Sequence, residues 1–449
     1  MEKRIFGATD GIREKVGVWP LRPNAMRKLG ASVAKYLKKQ PTLMIGRDTR
    51  ISGAWMADEF VAGAKAEGAQ IVDCGILPTP ALSILIKHNE AADGGAMMTA
   101  SHNPATDNGV KVFRADGDKL SDEEELAVED LYFEGEVDDD VEPKNAAELN
   151  LEPNQEALGA YIKAAREVLG DIQLDGEIVY DAASGAGQHF DKAVMEAFGL
   201  KVDVISPEPD GENINDGCGA LYPENVAKIA KERGLPGVAM DGDADRVMIV
   251  DEEGRIWDGD REVSVLSQYL KEKGELAGDT VVLTEYSNLG AIKYLNAQGI
   301  KVEKVVNGDR FVAQKCMENG YVIGSEFSGH IMYLPWLNSS DAVFVTLMLQ
   351  KIAHEKKCRL ADLWPDYEMM PSKQWGLMVR EKRPLEEVPG WNEALAEAEE
   401  TLDGRGRVFC RYSGTENKLR ILVEAESMEL VETAGEALAE LIKKEIGAW

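Results

Sequence analysis

The chain is short of cysteine and has no long apolar run. Its five cysteines, Cys74, Cys218, Cys316, Cys358 and Cys410, are odd in number and scattered, with no C-x-x-C pair. That pattern argues against a disulfide framework or a thiolate zinc site and suits a reducing cytoplasm. No apolar stretch is long enough to span a bilayer, so a membrane is not an expected partner. The start, Met1-Glu2-Lys3-Arg4-Ile5, lacks the apolar core of a secretory leader. Positive charge is scarce as well: 50 Lys and Arg stand against 80 Asp and Glu, a formal net charge of −30. No nucleic acid is expected to bind, because phosphate backbones select basic surfaces. An acidic chain can still hold a small anion where arginine, lysine and backbone N–H groups gather locally.

What the chain does have is alternation. With 449 residues it has room for three or four domains. Apolar strand-like runs alternate with helical patterns, which predicts an α/β fold. The first unit shows strands at 42–46, 69–73 and 96–98 and a helix at 121–133. An acidic, proline-containing stretch at 134–154 reads as a linker. The second unit opens with a helix at 155–169. It continues with strands at 177–180, 202–205 and 237–240 and a hairpin of 247–250 with 255–257. A third unit starts near Asp258, with strands at 280–284, 302–306 and 321–324. The last, from about Met370, carries a strand at 408–410 and ends in a helix at 429–445. That helix sets Leu430, Ala434, Ala437, Leu438 and Leu441 on one face.

In three successive units an apolar strand empties into a short loop of small and polar residues: T-A-S-H-N-P at 99–104, D-G-D-A-D-R at 241–246 and S-E-F-S-G-H at 325–330. Ligands of open α/β sheets sit at the carboxyl ends of strands, so these loops are candidates for one cleft. Asp241, Asp243 and Asp245 place carboxylates at alternate positions, where they would repel one another unless a cation joined them. Oxygen donors of this kind favour Mg2+ or Ca2+. An EF-hand is excluded, because Arg246 stands where that loop requires glycine and 247–250 is a strand.

Ser101-His102 has the residue types of a hydrolase nucleophile, but no G-x-S-x-G elbow surrounds it. Alone, Ser101 reads as a turn or cap serine before Asn103-Pro104. Beside a metal loop, a serine that carries phosphate becomes the more interesting reading. Lys111 lies just downstream, where it could hold phosphate or assist proton transfer; by itself it reads as a surface lysine. Gly7–Arg13 reads as another turn bringing in a cation. Glu326, Ser328 and His330 offer a carboxylate, a hydroxyl and an imidazole suited to sugar hydroxyls. Near the end, Arg411, Ser413, Gly414, Thr415 and Arg420 are the parts of a phosphate cradle. Asp181–Gly187 has neither the dinucleotide nor the P-loop spacing and reads as a tight βα turn.

In this order the four motifs resemble the α-D-phosphohexomutase superfamily over the whole chain. The resemblance implies three related α/β domains with mixed sheets, at 1–152, 153–257 and 258–368, and a smaller C-terminal α+β domain at 369–449, around a central cleft. It implies that Ser101 is a phosphoserine and that Asp241, Asp243 and Asp245 hold Mg2+ together with its phosphate. His102 and Lys111 would line the phosphoserine, and Arg13 and Arg246 would hold the transferring phosphate. Glu326 and Ser328, with His330 nearby, would grip sugar hydroxyls, and the last motif would hold the phosphate that does not react. The activity implied is mutase turnover of a small-molecule sugar phosphate through a sugar bisphosphate, in the cytoplasm; a homodimer is left open. A phosphohydrolase or a non-catalytic sensor fits less well, since Ser101 and all three aspartates are present. R-I-F-G-A-T-D-G-I-R and R-Y-S-G-T-E-N-K-L-R look most like the bacterial phosphoglucosamine mutase branch. Ala8, Ser325, Phe327, Tyr412 and Asn417 depart from its usual pattern, which keeps the phosphoglucomutase/phosphomannomutase branch as the alternative.

Overall fold

The computed structural model describes residues 4–7, 11–134, 149–413 and 417–448. Most of the expected linker, the Ala8-Thr9-Asp10 part of the first motif, and Gly414 and Thr415 lie outside the described residues. The chain divides into two compact units, Met1–Thr284 with Asn307–Pro365 and Glu285–Val306 with Asp366–Trp449. Both are built from mixed helices and sheets, as the alternation predicts.

The first unit repeats one connection scheme. In its first sheet Thr42–Arg47 is parallel to Gln70–Ile76 at one edge and to the central Gly94–Met98 on the other side. Gly94–Met98 then pairs antiparallel with Asp107–Arg114, which pairs with Ile12–Lys15 at the edge. The second sheet follows the same plan. Glu177–Asp181 lies between Lys201–Val204 and Gly237–Met240, both parallel to it. Val247–Val250 and the short Ile256–Trp257 complete it antiparallel, as the expected hairpin. In the third, Thr280–Thr284 runs parallel to Ile323–Ser325, which pairs antiparallel with Ile331–Tyr333.

This scheme positions the candidate residues. Each of the three loops is the turn between a parallel strand and the antiparallel strand that follows it, at the carboxyl end of the sheet. In the first two sheets the adjacent parallel strands send their connections in opposite directions, which opens a crevice at that point. The strands are buried on both faces and read as apolar runs rather than as alternation: Gly94–Met98 and Gly237–Met240 have no exposed residue.

Helices Pro23–Leu37 and Ile51–Ala66 cover the first sheet, with Met26, Leu29, Val33, Met56 and Phe60 in a core with Leu43, Ile45 and Val112. Proline in the first turn of Pro23–Leu37 costs no hydrogen bond there. The two helices touch backbone to backbone. A Cβ on Gly30 would meet the carbonyl oxygen of Phe60, and one on Gly63 that of Arg27.

In the second unit the antiparallel sheet Ser372–Met378, Lys418–Ala425 and Gly406–Tyr412 has Lys418–Ala425 at its centre. Leu419, Ile421, Val423 and Ala425, at every second position, pack on helices Trp391–Leu402 and Met428–Ile446. The predicted terminal helix is present, but its buried face is rotated. Val431, Ala434, Leu438, Ala439 and Ile442 are buried, while Ala437 is exposed. Alanine is tolerated on either face, so it does not fix the phase of a helix. Helix Leu289–Ala297 belongs to this unit as well, its first N–H bonded to Glu424 Oε1 at 2.9 Å.

Gly63→Ala should force the two helices apart and destabilise the protein by about 1–3 kcal/mol, as overpacking does. Thermal melting should show a clearly lower Tm than wild type; an unchanged Tm would contradict the close helix contact.

Candidate active site

Ser101 follows strand Gly94–Met98 and is fully buried, in a left-handed backbone conformation at φ +53°. A non-glycine residue there is uncommon and marks a loop held by its surroundings. Its Oγ donates to Asp241 Oδ2 at 2.7 Å and lies 3.2 Å from His102 Nδ1. The first and second sheets therefore meet at this hydroxyl.

The aspartate loop turns inward. Asp241, Asp243 and Asp245 are all buried, each offering an oxygen within 4.8 Å of the others. Burial, and the charges of Asp245 and Asp243, push the Asp241 carboxyl up to about 7. Burial would also raise Asp245, but Lys111 and His330 outweigh it and hold that carboxyl well below the usual range. Lys111 is not a surface lysine: it is 1% exposed, and its Nζ bonds Asp243 Oδ2 at 2.9 Å and Asp245 Oδ2 at 2.8 Å. Its strand, Asp107–Arg114, is buried on both sides, so alternation does not send it to solvent. Among the described residues Asp243 Oδ1 is buried without a hydrogen-bond partner. An orphaned carboxylate oxygen in an all-oxygen set of three fits a hard divalent cation.

The third loop meets the second. His330 bridges Asp245 Oδ1 at 2.9 Å through Nε2 and Glu326 Oε2 at 2.8 Å through Nδ1. Burial alone would lower its pKa, but Asp245 and then Glu326 raise it to about 10, so it is an imidazolium. Glu326 is held below the usual range although burial opposes this, chiefly by its bond to His330. Ser328 donates to Glu326 Oε2 at 3.4 Å. Gly329, at φ +85°, lets the loop lie on strand Val247–Val250: its oxygen accepts from Val247 N at 3.1 Å, and a Cβ would strike Val247 O.

His102 has the opposite character. Burial first, then the charges of Arg246 and Arg13, lower it to about 3 and keep it neutral. Arg13, on edge strand Ile12–Lys15 opposite Gly109, and Arg246 thus both bear on the residue next to Ser101. Arg246 Nε stands 4.0 Å from Asp241 Oδ2.

In the second unit Arg411 and Arg420 are direct cross-strand partners. Two guanidiniums on opposed positions repel unless an anion or a π-face shares their charge. Arg411 lies over the Tyr286 ring at 5.4 Å. Ser413 is buried, its N–H bonded to Lys418 O at 2.8 Å and its carbonyl held by Lys382 Nζ at 2.7 Å.

Four residues around the site escaped the motif reading. Thr79, at the start of helix Thr79–Lys87, donates through Oγ1 to Asp243 Oδ2 at 2.6 Å. Asp48 and Arg50 follow strand Thr42–Arg47 and reach the Ser101 loop, as does Asn215 from the second sheet's loops. The only sequence signal was the charged run G-R-D-T-R at 46–50, which has the look of an ordinary strand-to-helix turn.

Comparison with known proteins agrees with this arrangement. Residues 3–138 match phosphoglucomutase/phosphomannomutase alpha/beta/alpha domain I, 258–369 match domain III, and 377–441 match the C-terminal domain. Over the full length of both, the chain is 37% identical to the phosphoglucosamine mutase of Anaeromyxobacter dehalogenans. In fold it is similar to a phosphoglucomutase/phosphomannomutase family protein of Burkholderia thailandensis, with a TM-score of 0.78 at 20% identity over 98% of this chain and 97% of that one. It is also similar to the Aspergillus fumigatus N-acetylphosphoglucosamine mutase solved with GlcNAc-6P and magnesium, with a TM-score of 0.67 at 18% identity over 99% and 96%. Four motifs in order, a repeated α/β scheme that brings three of them together and a full-length relative lead to one conclusion: the chain belongs to the α-D-phosphohexomutase superfamily, and is an isomerase of that family.

Proposed function

We propose that this enzyme interconverts a hexosamine 6-phosphate and the corresponding 1-phosphate, with glucosamine phosphate as substrate, by means of a phosphoryl group carried on Ser101. The observation that carries the proposal is the 2.7 Å contact of Ser101 Oγ with Asp241 Oδ2, inside a loop of three buried carboxylates. The name of the full-length relative supports the amino sugar.

The Oγ–P bond at Ser101 breaks as a bond forms from phosphorus to the free hydroxyl of the bound monophosphate. The hydroxyl proton leaves the sugar, and a proton ends on Ser101 Oγ. The resulting bisphosphate turns over in the site, and its other phosphoryl group returns to Ser101 by the same exchange reversed. Lys111 and His330 are the cations placed to relay protons, and His102, Arg13 and Arg246 face the transferring group. Glu326 and Ser328 accept and donate to sugar hydroxyls. Arg411, Ser413 and Arg420, with Gly414 and Thr415, bind the phosphate that does not react. Asp241, Asp243 and Asp245 would hold Mg2+, which neutralises charge on the transferring phosphoryl group when bound. The parts assigned to these tasks are the domains 1–152, 153–257, 258–368 and 369–449, in the cytoplasm. Among the described residues no helix is long and apolar enough to cross a membrane.

Ser325 and Phe327 favour a second substrate, glucose or mannose phosphate. Both depart from the amino-sugar branch at the sugar loop, where Ser325 is buried against Gly259 O at 3.1 Å and Phe327 is exposed. Measurement of kcat/KM on glucosamine, glucose and mannose phosphates with Mg2+ decides between them. Preference for the amino sugar is expected, and preference for a neutral hexose overturns that part of the reading.

Ser101→Ala should lower turnover by at least about 1000-fold, as loss of a covalent carrier does, with sugar-phosphate binding retained. Turnover near wild type in mutase-free preparations would sink the mechanism. Arg420→Ala should raise KM about tenfold or more, since charge-assisted phosphate contacts are strong. An unchanged KM would argue against the cradle.

A further inference from the structure

We infer that Arg50 and Asn215 are positioning residues that hold the Ser101 loop in one backbone conformation, whether or not Ser101 carries phosphate. The inference rests on Ser101 being the phosphoryl carrier.

Arg50 is fully buried, and its guanidinium is engaged on all sides. Nε donates to Asp48 Oδ2 at 2.9 Å. Nη2 donates to the carbonyls of Ser101 at 3.0 Å and Asn103 at 2.7 Å. Nη1 donates to the carbonyls of Pro104 and, at 2.9 Å, Asp107. One planar fork thus reads four carbonyls along a single loop, which a lysine ammonium with three donors on one atom does not do. From the other side Asn215 Nδ2 donates to the same Ser101 carbonyl at 2.9 Å and to that of Asn103 at 3.1 Å.

The N–H side of Ser101 is tied to the same frame. Ser101 N donates to Thr99 Oγ1 at 3.0 Å, Thr99 Oγ1 donates to Asp48 Oδ2 at 2.7 Å, and Asp48 is the carboxylate that Arg50 bonds. Both backbone groups of Ser101 are therefore fixed, which accounts for a serine at φ +53°. None of these bonds uses Ser101 Oγ. The frame does not depend on what Oγ carries, and Oγ keeps one position as donor and then as acceptor of phosphoryl. A loop that relaxed on unloading would lose in-line geometry for the return step, and small misplacements of reacting atoms are costly.

The test uses Arg50→Lys and Asn215→Gly in the full chain; glycine keeps the left-handed backbone that Asn215 adopts at φ +59°. Measured quantities are the folded fraction, Ser101 phosphorylation by intact mass, kcat and KM for the sugar phosphate, and the ratio of inorganic phosphate released to sugar isomerised. In Arg50→Lys kcat per folded molecule should fall about 100-fold. KM should stay within about threefold, and the share of phosphate lost to water should rise. Asn215→Gly should lower kcat about tenfold, leave KM within about threefold and raise the share of phosphate lost to water. If Arg50→Lys does not fold, the Asn215→Gly signature decides alone. Wild-type kcat per folded molecule, or a fall in kcat with an unchanged hydrolysis share, overturns the inference. Wild-type enzyme that turns over without phosphate on Ser101 overturns instead the carrier reading beneath it.

Discussion

Three carboxylates confined in one buried turn are the constraint on which the rest of the first unit depends. At separations below 5 Å and away from water, like charges repel by several kcal/mol unless cations face them (about 4 kcal/mol at 4 Å in an effective dielectric of 20). The chain brings two of those cations from far away in sequence, Lys111 from the first sheet and His330 from the third, while Arg246 stands at the end of the loop itself. Thr79 adds a neutral donor from a helix start. Each contact draws the carboxyl end of one sheet toward another, so the electrostatics of the aspartate loop and the way the three sheets meet are one problem. The fit is incomplete: among the described residues Asp243 Oδ1 and Arg246 Nε are buried without a hydrogen-bond partner, and the orphaned carboxylate oxygen suits a divalent cation.

The same field divides the two histidines. His102 and His330 are both within reach of Arg246, yet one is kept neutral and the other charged. The difference lies in what else faces them. His330 has carboxylates on both ring nitrogens, whereas His102 has Arg13 as well as Arg246 nearby and the Ser101 hydroxyl on Nδ1. His330 is therefore a cation held in the scaffold between Asp245 and Glu326. His102 shares a hydrogen bond with Ser101 without adding charge beside that hydroxyl.

Legibility in the sequence followed the range of the interactions. The parallel strands of the first two sheets, the hairpin and the three loops were readable because each is set by a local run of residues, whereas the antiparallel strands Ile12–Lys15, Asp107–Arg114 and Lys418–Ala425, interrupted by polar and charged residues, were not. The aspartate spacing was readable because three carboxylates lie within five residues. Lys111 was misjudged on its own because its burial depends on a strand with neighbours on both sides and on partners 132 and 134 residues away. Arg50 and Asn215 were missed for a related reason. Their targets are main-chain carbonyls, which every residue has, so no residue type in the partner loop announces them. The rotated face of helix Met428–Ile446 is a smaller case, in which alanines blur the period that Leu438 and Ile442 would define.

The three loops occupy equivalent places in three similarly connected sheets, yet one supplies a hydroxyl, one a set of anions and one a carboxylate, a hydroxyl and an imidazole. The connection scheme explains how that is feasible. A parallel strand, a turn and an antiparallel return deliver the turn's side chains to the same end of each sheet whatever those side chains are. Residues that define the sheet are apolar and buried; residues in the turn carry little of the core. Exchange in the turns therefore changes chemistry at small cost to folding, while the strands keep the turns aimed at one another. What the turns then need is mutual compensation of charge, and the bonds of Lys111, His330 and Ser101 to the aspartate loop supply it.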